Sequence, residues 1–157
     1  MSEPSPSLPP RSPSHFLPYE AFEHTADLAY IARGRTLGEL FENAAAGMMH
    51  FLIDLSSVRP VKEVSIEIEA EDTEELLVSW LQEILYHEEV RLLILSQFRV
   101  EEISPRRLRA SVLGEPYDAA RHSLLTDIKA ATYHDLRIEQ EETDGGQVYR
   151  VRIVLDI

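Results

Sequence analysis

The sequence predicts an α+β domain, with two principal helices packed on a mainly antiparallel sheet. Apolar residues recur at helical spacing in two segments, residues 37–52 and 73–90. Strand patterns precede and separate these segments, and most of the chain after residue 90 also reads as strand. Near the end, "TDGG" joins two strand patterns in the manner of a tight hairpin. This order of elements favours helices packed on an antiparallel sheet.

The first predicted strand is an apolar run from Leu28 to Ala32, and Gly34 suits the turn that ends it. Thr36 and Glu39 then form a capping box, whose side chains satisfy free amides at a helix start. The helix is predicted from Leu37 to about Leu52. Its buried stripe comprises Leu37, Leu40, Phe41, Ala44, Ala45, Met48, Phe51 and Leu52.

A second strand and helix follow. Apolar and charged residues alternate from Val64 to Ala70, as in a strand with one face in water. Asp72 or Thr73 is the predicted cap of the second helix. Its buried stripe comprises Leu77, Trp80, Leu81, Ile84 and Leu85. We interpret Met48, Met49 and Trp80 as core residues, because they fall at helical spacing on the buried faces.

The rest of the chain is predicted to form two strand pairs. Residues 91–103 and 107–117 are joined by a turn at Ser104 and Pro105, and residues 136–142 and 147–157 flank "TDGG". Between the pairs, residues 118–135 are predicted to form a loop with short helical character.

Composition indicates one globular domain, residues 19–157, after a disordered leader, residues 1–18. The leader holds six of the chain's nine prolines and five serines, and it has no apolar segment typical of a secretory signal. The chain contains no cysteine, which excludes thiolate metal clusters and cysteine nucleophiles and suits a reducing, cytoplasmic location.

The chain is strongly acidic. Twenty-eight Asp and Glu residues against fifteen Lys and Arg residues give a formal charge of -13. Such a surface repels polyphosphates and favours a basic protein partner or a cation. The basic cluster of Arg106, Arg107 and Arg109 is interpreted as a solvated turn and strand and not as an RNA contact.

Two internal motifs carry polar groups of the kind that bind metals or partners. "EHTAD" contains Glu23, His24 and Asp27 before the first strand. The second motif, "KAATYH", contains Lys129, Thr132, Tyr133 and His134. Taken singly, these residues are typical of turn chemistry or of a hydrogen-bonded structural histidine.

The carboxyl end of the sequence is a third candidate. An apolar strand pattern closes in "LDI", so Asp156 is predicted to lie beside the free carboxylate of Ile157. Two anions this close repel each other unless a cation or hydrogen-bond donors stabilise them. A hard divalent cation such as calcium, magnesium or manganese would do so, and Asp27 joins the set if the first and last strands are neighbours. If they are not neighbours, Asp-Ile is an ordinary chain end.

Four separated segments resemble the archease family in order and spacing. They are "EHTADLAYIARGRTLGELFENAAAGM", "EELLVSWLQEILY", "GEPYDAARHSLLTDIKAATYHDL" and "VRIVLDI", within residues 19–157. The resemblance implies a small α+β protein cofactor of the RtcB-type RNA ligase, a manganese-dependent, GTP-using enzyme of tRNA splicing and RNA repair. Such a cofactor promotes guanylylation and multiple turnover of the ligase, and does not itself form the phosphodiester bond. A chaperone-like role toward RNA- or DNA-modifying enzymes is a lesser implication.

The resemblance also assigns site residues. It implies metal binding by Asp27, Asp156 and the terminal carboxylate of Ile157, with His24 and His134 close by or facing the partner. For Lys129, Thr132 and Tyr133 it leaves contact with metal, ligase or core open. Two other hypotheses stand beside it: an independent metal-dependent phosphohydrolase with His134 as general base, and a plain interaction module. No nucleophile motif or phosphate-binding glycine loop supports the hydrolase.

Overall fold

The structure is a computed structural model, and it describes residues 16–23 and 27–157, with only the backbone of Phe22 and Glu23. Residues 1–15 of the predicted leader lie outside the described residues, as does His24.

Two helices and eight strands make up the described chain. The helices are α1 (Leu37–Leu52) and α2 (Thr73–Glu89), and a short 3-10 helix spans Leu55–Ser57. The strands are β1 (Tyr19–Glu23), β2 (Asp27–Gly34), β3 (Lys62–Glu69), β4 (Leu93–Ser104), β5 (Arg107–Pro116), β6 (Ala130–Ala131), β7 (Ile138–Thr143) and β8 (Gly146–Asp156).

The strands form two antiparallel sheets. The larger has the order β1-β2-β8-β6, with β7 also paired to β8, and the smaller has the order β3-β5-β4. One long edge of β8 pairs with β2 along its length. The other edge is shared by β7 near the start of β8 and by β6 at its end. β8 is therefore the central strand of the larger sheet.

The core lies between the helices and the two sheets. α1 packs on both β2 and β4, and α2 packs on β4 and on α1. The stripes predicted on both helices are buried or partly buried, and Met48, Met49 and Trp80 are fully buried. Trp80 Nε1 donates to the Phe41 carbonyl at 2.9 Å, so the one polar atom of this side chain is satisfied. The predicted α+β class is confirmed.

Both helices begin with the same arrangement of side chains. Thr36 Oγ1 accepts from the Glu39 amide at 3.0 Å, and Asp72 Oδ1 accepts from the Glu75 amide at 2.8 Å. The carboxylate of each glutamate accepts a hydrogen bond from the amide of the residue before the cap: Glu39 from Arg35 at 2.7 Å and Glu75 from Glu71 at 2.8 Å. The predicted helix starts are confirmed. The one difference from a standard capping box is that each glutamate binds the amide one residue before the cap.

The predicted helical character of residues 118–135 is wrong. This segment contains a turn at residues 119–121, an isolated bridge at Leu124 and the two-residue strand β6, with no helix. After one turn at its start, where the His122 amide donates to the Asp118 carbonyl at 2.8 Å, its amides donate to distant carbonyls. The Leu125 amide donates to the Leu52 carbonyl at 2.8 Å, and the Lys129 amide donates to the Asp156 carbonyl at 2.7 Å.

A buried glutamate fixes the start of this loop. The side chain of Glu115 is 5% exposed and forms an ion pair with Arg121. It also accepts from the Arg59 amide at 2.7 Å and lies 2.9 Å from His122 Nε2. Because His122 Nδ1 accepts from the Asp118 amide, the ring hydrogen is on Nε2, which donates it to the Glu115 carboxylate. Burial raises the pKa of Glu115, but the hydrogen bonds from Arg121, Arg59 and His122 outweigh it and lower the pKa to about 2.

Glu115→Gln should lower the free energy of unfolding by about 2 to 3 kcal/mol at pH 7, because it leaves Arg121 and His122 without a buried carboxylate. Since the folded pKa of Glu115 is depressed, its contribution is fully present above the usual glutamate pKa and is lost as pH falls toward about 2. Urea unfolding at pH 7 and at pH 3 measures both effects, and the difference between variant and wild type should narrow at the lower pH.

Glu63→Gln on the exposed surface of β3 is the matched control, with an expected change within about 0.5 kcal/mol. Equal stability of the Glu115 and Glu63 variants would show that Glu115 does not anchor the loop.

Candidate metal and partner site

Asp27 and Asp156 lie directly opposite each other in the larger sheet. They are register partners at the end of the β2-β8 pair, so their side chains project from the same face. Directly opposed residues of antiparallel strands have Cβ atoms about 4.5–5.5 Å apart. Asp156 is exposed and Asp27 is half-buried. The condition set by the sequence, that the first apolar strand be a neighbour of the last, is met.

The two aspartates belong to the sheet face that points away from the helices. Alternation along β2 and β8 places Tyr30 and Ile153 in the core under the helices. The same alternation places Ala29, Ile31 and Val154 on the opposite face, where they are also buried. The aspartates thus end a strip of apolar side chains, and both faces of β2 exclude water, which explains why its sequence reads as a continuous apolar run.

The "KAATYH" motif borders Asp156. Ala130 is the register partner of Asp156 in β6, and the Lys129 amide donates to the Asp156 carbonyl at 2.7 Å. Thr132 donates to the Val154 carbonyl from its amide at 3.0 Å and from Oγ1 at 2.9 Å. These bonds hold the end of β8 in place, and the Lys129 side chain is exposed beside it. The structure therefore gives Thr132 a structural role.

Tyr133 and His134 lie in an exposed turn just beyond. Tyr133 is 58% exposed, and burial followed by the carboxylates of Glu75 and Asp72 raises the pKa of its phenol. His134 Nε2 lies 3.2 Å from Asp135 Oδ2, and its amide donates to Thr132 Oγ1 at 3.3 Å. The His134 ring is thus oriented by its sequence neighbour and is open to solvent.

The donors at this point fit a hard cation. Asp27 and Asp156 offer carboxylate oxygens at a largely open position, and Ile157 follows directly and is 40% exposed. Oxygen-only donor sets suit calcium, magnesium and manganese. Within residues 16–23 and 27–157, no three histidine or carboxylate side chains converge as a metal site. The terminal carboxylate of Ile157 is the candidate third ligand among these residues, and His24 is outside the described chain.

A row of charges crosses the same face, and sequence reasoning missed it. Arg33 donates to Glu141 at 2.9 Å and to Glu20 at 3.2 Å, which ties β2 to β7 and β1. Arg33 is also the register partner of Arg150, so two cations oppose each other between these carboxylates. The signal was the alternation in "YRVRIVLD", which places Arg150 and Arg152 on the face of Asp156.

Among the described residues, no helix is long and apolar enough to cross a membrane.

Comparison with known proteins identifies the family. The model of the archease protein family (MTH1598/TM1083) matches residues 19–157. Protein archease of Methanosarcina mazei is 40% identical over 149 residues, which cover 92% of this chain and 99% of the relative. Protein archease of Methanopyrus kandleri is 39% identical over 129 residues, which cover 80% of this chain and 92% of the relative.

Two solved structures share the fold. The solution structure of protein 1598 from Methanobacterium thermoautotrophicum superposes with a TM-score of 0.71 and 31% identity, over 89% of this chain and 99% of the other. The crystal structure of an archease from Thermotoga maritima, described as a possible chaperone, gives a TM-score of 0.61 at 23% identity. The superposition covers 92% of this chain and 99% of the other. With the match over residues 19–157, these similarities show that the chain belongs to the archease family.

Proposed function

We propose that this protein is a non-enzymatic accessory factor that activates an RtcB-type RNA ligase in tRNA splicing and RNA repair, in the cytoplasm. The observation that carries the proposal is the direct opposition of Asp27 and Asp156 at one open end of the sheet. Family membership supports the accessory role. The family resemblance implies that the partner is this ligase, and that the accessory factor promotes its guanylylation and its repeated turnover.

The proposed site holds one divalent cation, calcium or a similar hard ion such as manganese or magnesium. Asp27 and Asp156 supply side-chain oxygens, and Ile157 supplies only its backbone carboxylate. When bound, such an ion neutralises phosphate charge and orients a leaving pyrophosphate. The chain's own contribution is to fix its carboxylates in advance, through the β2-β8 register and the bond from the Lys129 amide.

The same end of the sheet is the proposed docking surface. The net charge of -13 favours approach to a positively charged active-site mouth. Lys129 is exposed beside Asp156, and Tyr133 and His134 are exposed in the turn that follows β6, which fits side chains that face a partner. His24 is proposed for the same role from the sequence motif alone.

The phosphohydrolase hypothesis predicts turnover of a phosphate ester with metal and no ligase. It requires His134 as general base, yet the His134 side chain is 69% exposed in a turn, and the described residues form no enclosed site around it to position a substrate. We therefore rank it below the accessory role. The chaperone-like role rests on the description of the Thermotoga maritima protein and has no separate support in the geometry of the site.

Asp156→Asn and Asp27→Asn should each reduce stimulation of single-turnover ligase guanylylation by at least about 10-fold in manganese and GTP, because each removes one anionic donor at nearly constant shape. Asp144→Asn in the exposed β7-β8 turn is the matched control and should leave stimulation unchanged. Full stimulation by both site variants, with unfolding curves like wild type, would rule out the metal-placement mechanism.

Adding one glycine after Ile157 should weaken calcium or manganese binding by at least about 10-fold, because it moves the terminal carboxylate by about 3.3 Å along the strand direction. Ile157→Val keeps the carboxylate and should bind like wild type. Calorimetry measures the affinities without any ligase. Equal affinities for the extended and wild-type proteins would remove Ile157 from the ligand set and leave the two aspartates to be tested alone.

A further inference from the structure

The strand that holds the end of β8 at the candidate metal site is β6, the shortest of the described strands. It contains only Ala130 and Ala131, which pair with Asp156 and Leu155. The Lys129 amide extends this pairing by donating to the Asp156 carbonyl at 2.7 Å. The last residues of a strand open readily unless they are tied to a neighbour. The position of Asp156 therefore depends on how firmly β6 itself is held.

The outer edge of β6 presents a buried backbone amide. β6 comes last in the strand order β1-β2-β8-β6, so one of its edges faces β8 and the other faces no strand of the described chain. The Thr132 amide donates to the Val154 carbonyl of β8 at 3.0 Å. Because successive amides of an extended chain point to opposite edges, the Ala131 amide points away from β8. Ala131 is only 5% exposed, so this amide needs a partner within the protein.

Gln82 of α2 supplies that partner. Its side-chain Oε1 accepts from the Ala131 amide at 2.8 Å, although the two residues are 49 positions apart in the sequence. Gln82 follows the fully buried Leu81 of the core stripe and is itself an exposed residue. Its side chain thus reaches from the helix to the strand without forming part of the core. A side chain with no acceptor at this position would leave a buried amide unpaired.

We propose that Gln82 is a positioning residue for the candidate metal site. It ties β6 to α2, and β6 in turn holds Asp156 through the Lys129 amide. A ligand that is fixed before the ion arrives costs less to order on binding, so a secured β6 raises metal affinity. The inference rests on the metal-binding part of the proposed function. It adds a residue of the helical layer to those that determine affinity.

The test is calorimetric titration of calcium and of manganese into the full-length wild-type protein and into Gln82→Leu. Leucine keeps a high helix propensity but accepts no hydrogen bond, so metal affinity should fall at least about 5-fold. Gln82→Glu keeps an acceptor oxygen and should bind at least as tightly as wild type. Gln140→Leu, the same change at an exposed position of β7, is the matched control and should have no effect.

Two further measurements distinguish positioning from a general loss of stability. Ile66→Val, at a buried position of the smaller sheet, should lower the stability measured in urea and leave metal affinity unchanged. Amide hydrogen exchange, followed by NMR without metal, should be at least about 10-fold faster at Ala131 in Gln82→Leu than in wild type. Thermal unfolding of each variant establishes that the fold is intact.

Three results would each overturn the inference while leaving the metal site in place. These are wild-type affinity or unchanged Ala131 exchange in Gln82→Leu, binding by Gln82→Glu as weak as that of Gln82→Leu, and an equal loss of affinity in Gln140→Leu or Ile66→Val. If the wild-type protein binds neither calcium nor manganese, the metal-binding part of the proposed function fails, and the inference fails with it.

Discussion

The pairing of β8 on both edges is the constraint on which the rest of the molecule depends. β8 aligns β2 along one edge and β7 and β6 along the other. Because side chains alternate between faces, a shift of one residue would move Tyr30 and Ile153 out of the core and separate Asp27 from Asp156. The same register therefore fixes the hydrophobic core and the opposed carboxylates. Stability of the sheet and geometry of the site cannot be varied independently.

The face away from the helices carries an ordered gradient of polarity. The opposed aspartates lie at one end, the buried Ala29 and Val154 come next, and the arginines of β8 follow. This order separates the opposed aspartates from the arginines of β8 by a layer of buried apolar side chains. Arg33 and Arg150 there lie among the carboxylates of Glu20, Glu139 and Glu141.

The sequence predicted the parts whose signals are local. Thr36 and Asp72 marked the helix starts, and "TDGG" marked the last hairpin, because capping and turn chemistry act within a few residues. Residues 118–135 were correctly predicted as a loop, but the predicted helical character was wrong, because distant groups hold this segment: the Leu52 carbonyl accepts from Leu125 and the Asp156 carbonyl accepts from Lys129. β1 was not anticipated although it pairs with its sequence neighbour β2, because the residues between the two strands, "HTA", include no Gly or Pro turn signal.

The candidate site shows the same division between local and distant information. The sequence supplied Asp27 and Asp156 as candidates, but only the β2-β8 register makes them partners. The row of charges on this face was also encoded, in the alternation of Arg150 and Arg152, yet only the pairing of β8 with β2 and β7 brings Arg150 opposite Arg33 and Glu139. Alternation along a strand states which residues share a face, and topology decides what lies against that face. A sequence pattern therefore predicts which residues of one strand share a face more reliably than it predicts which distant segment completes a site.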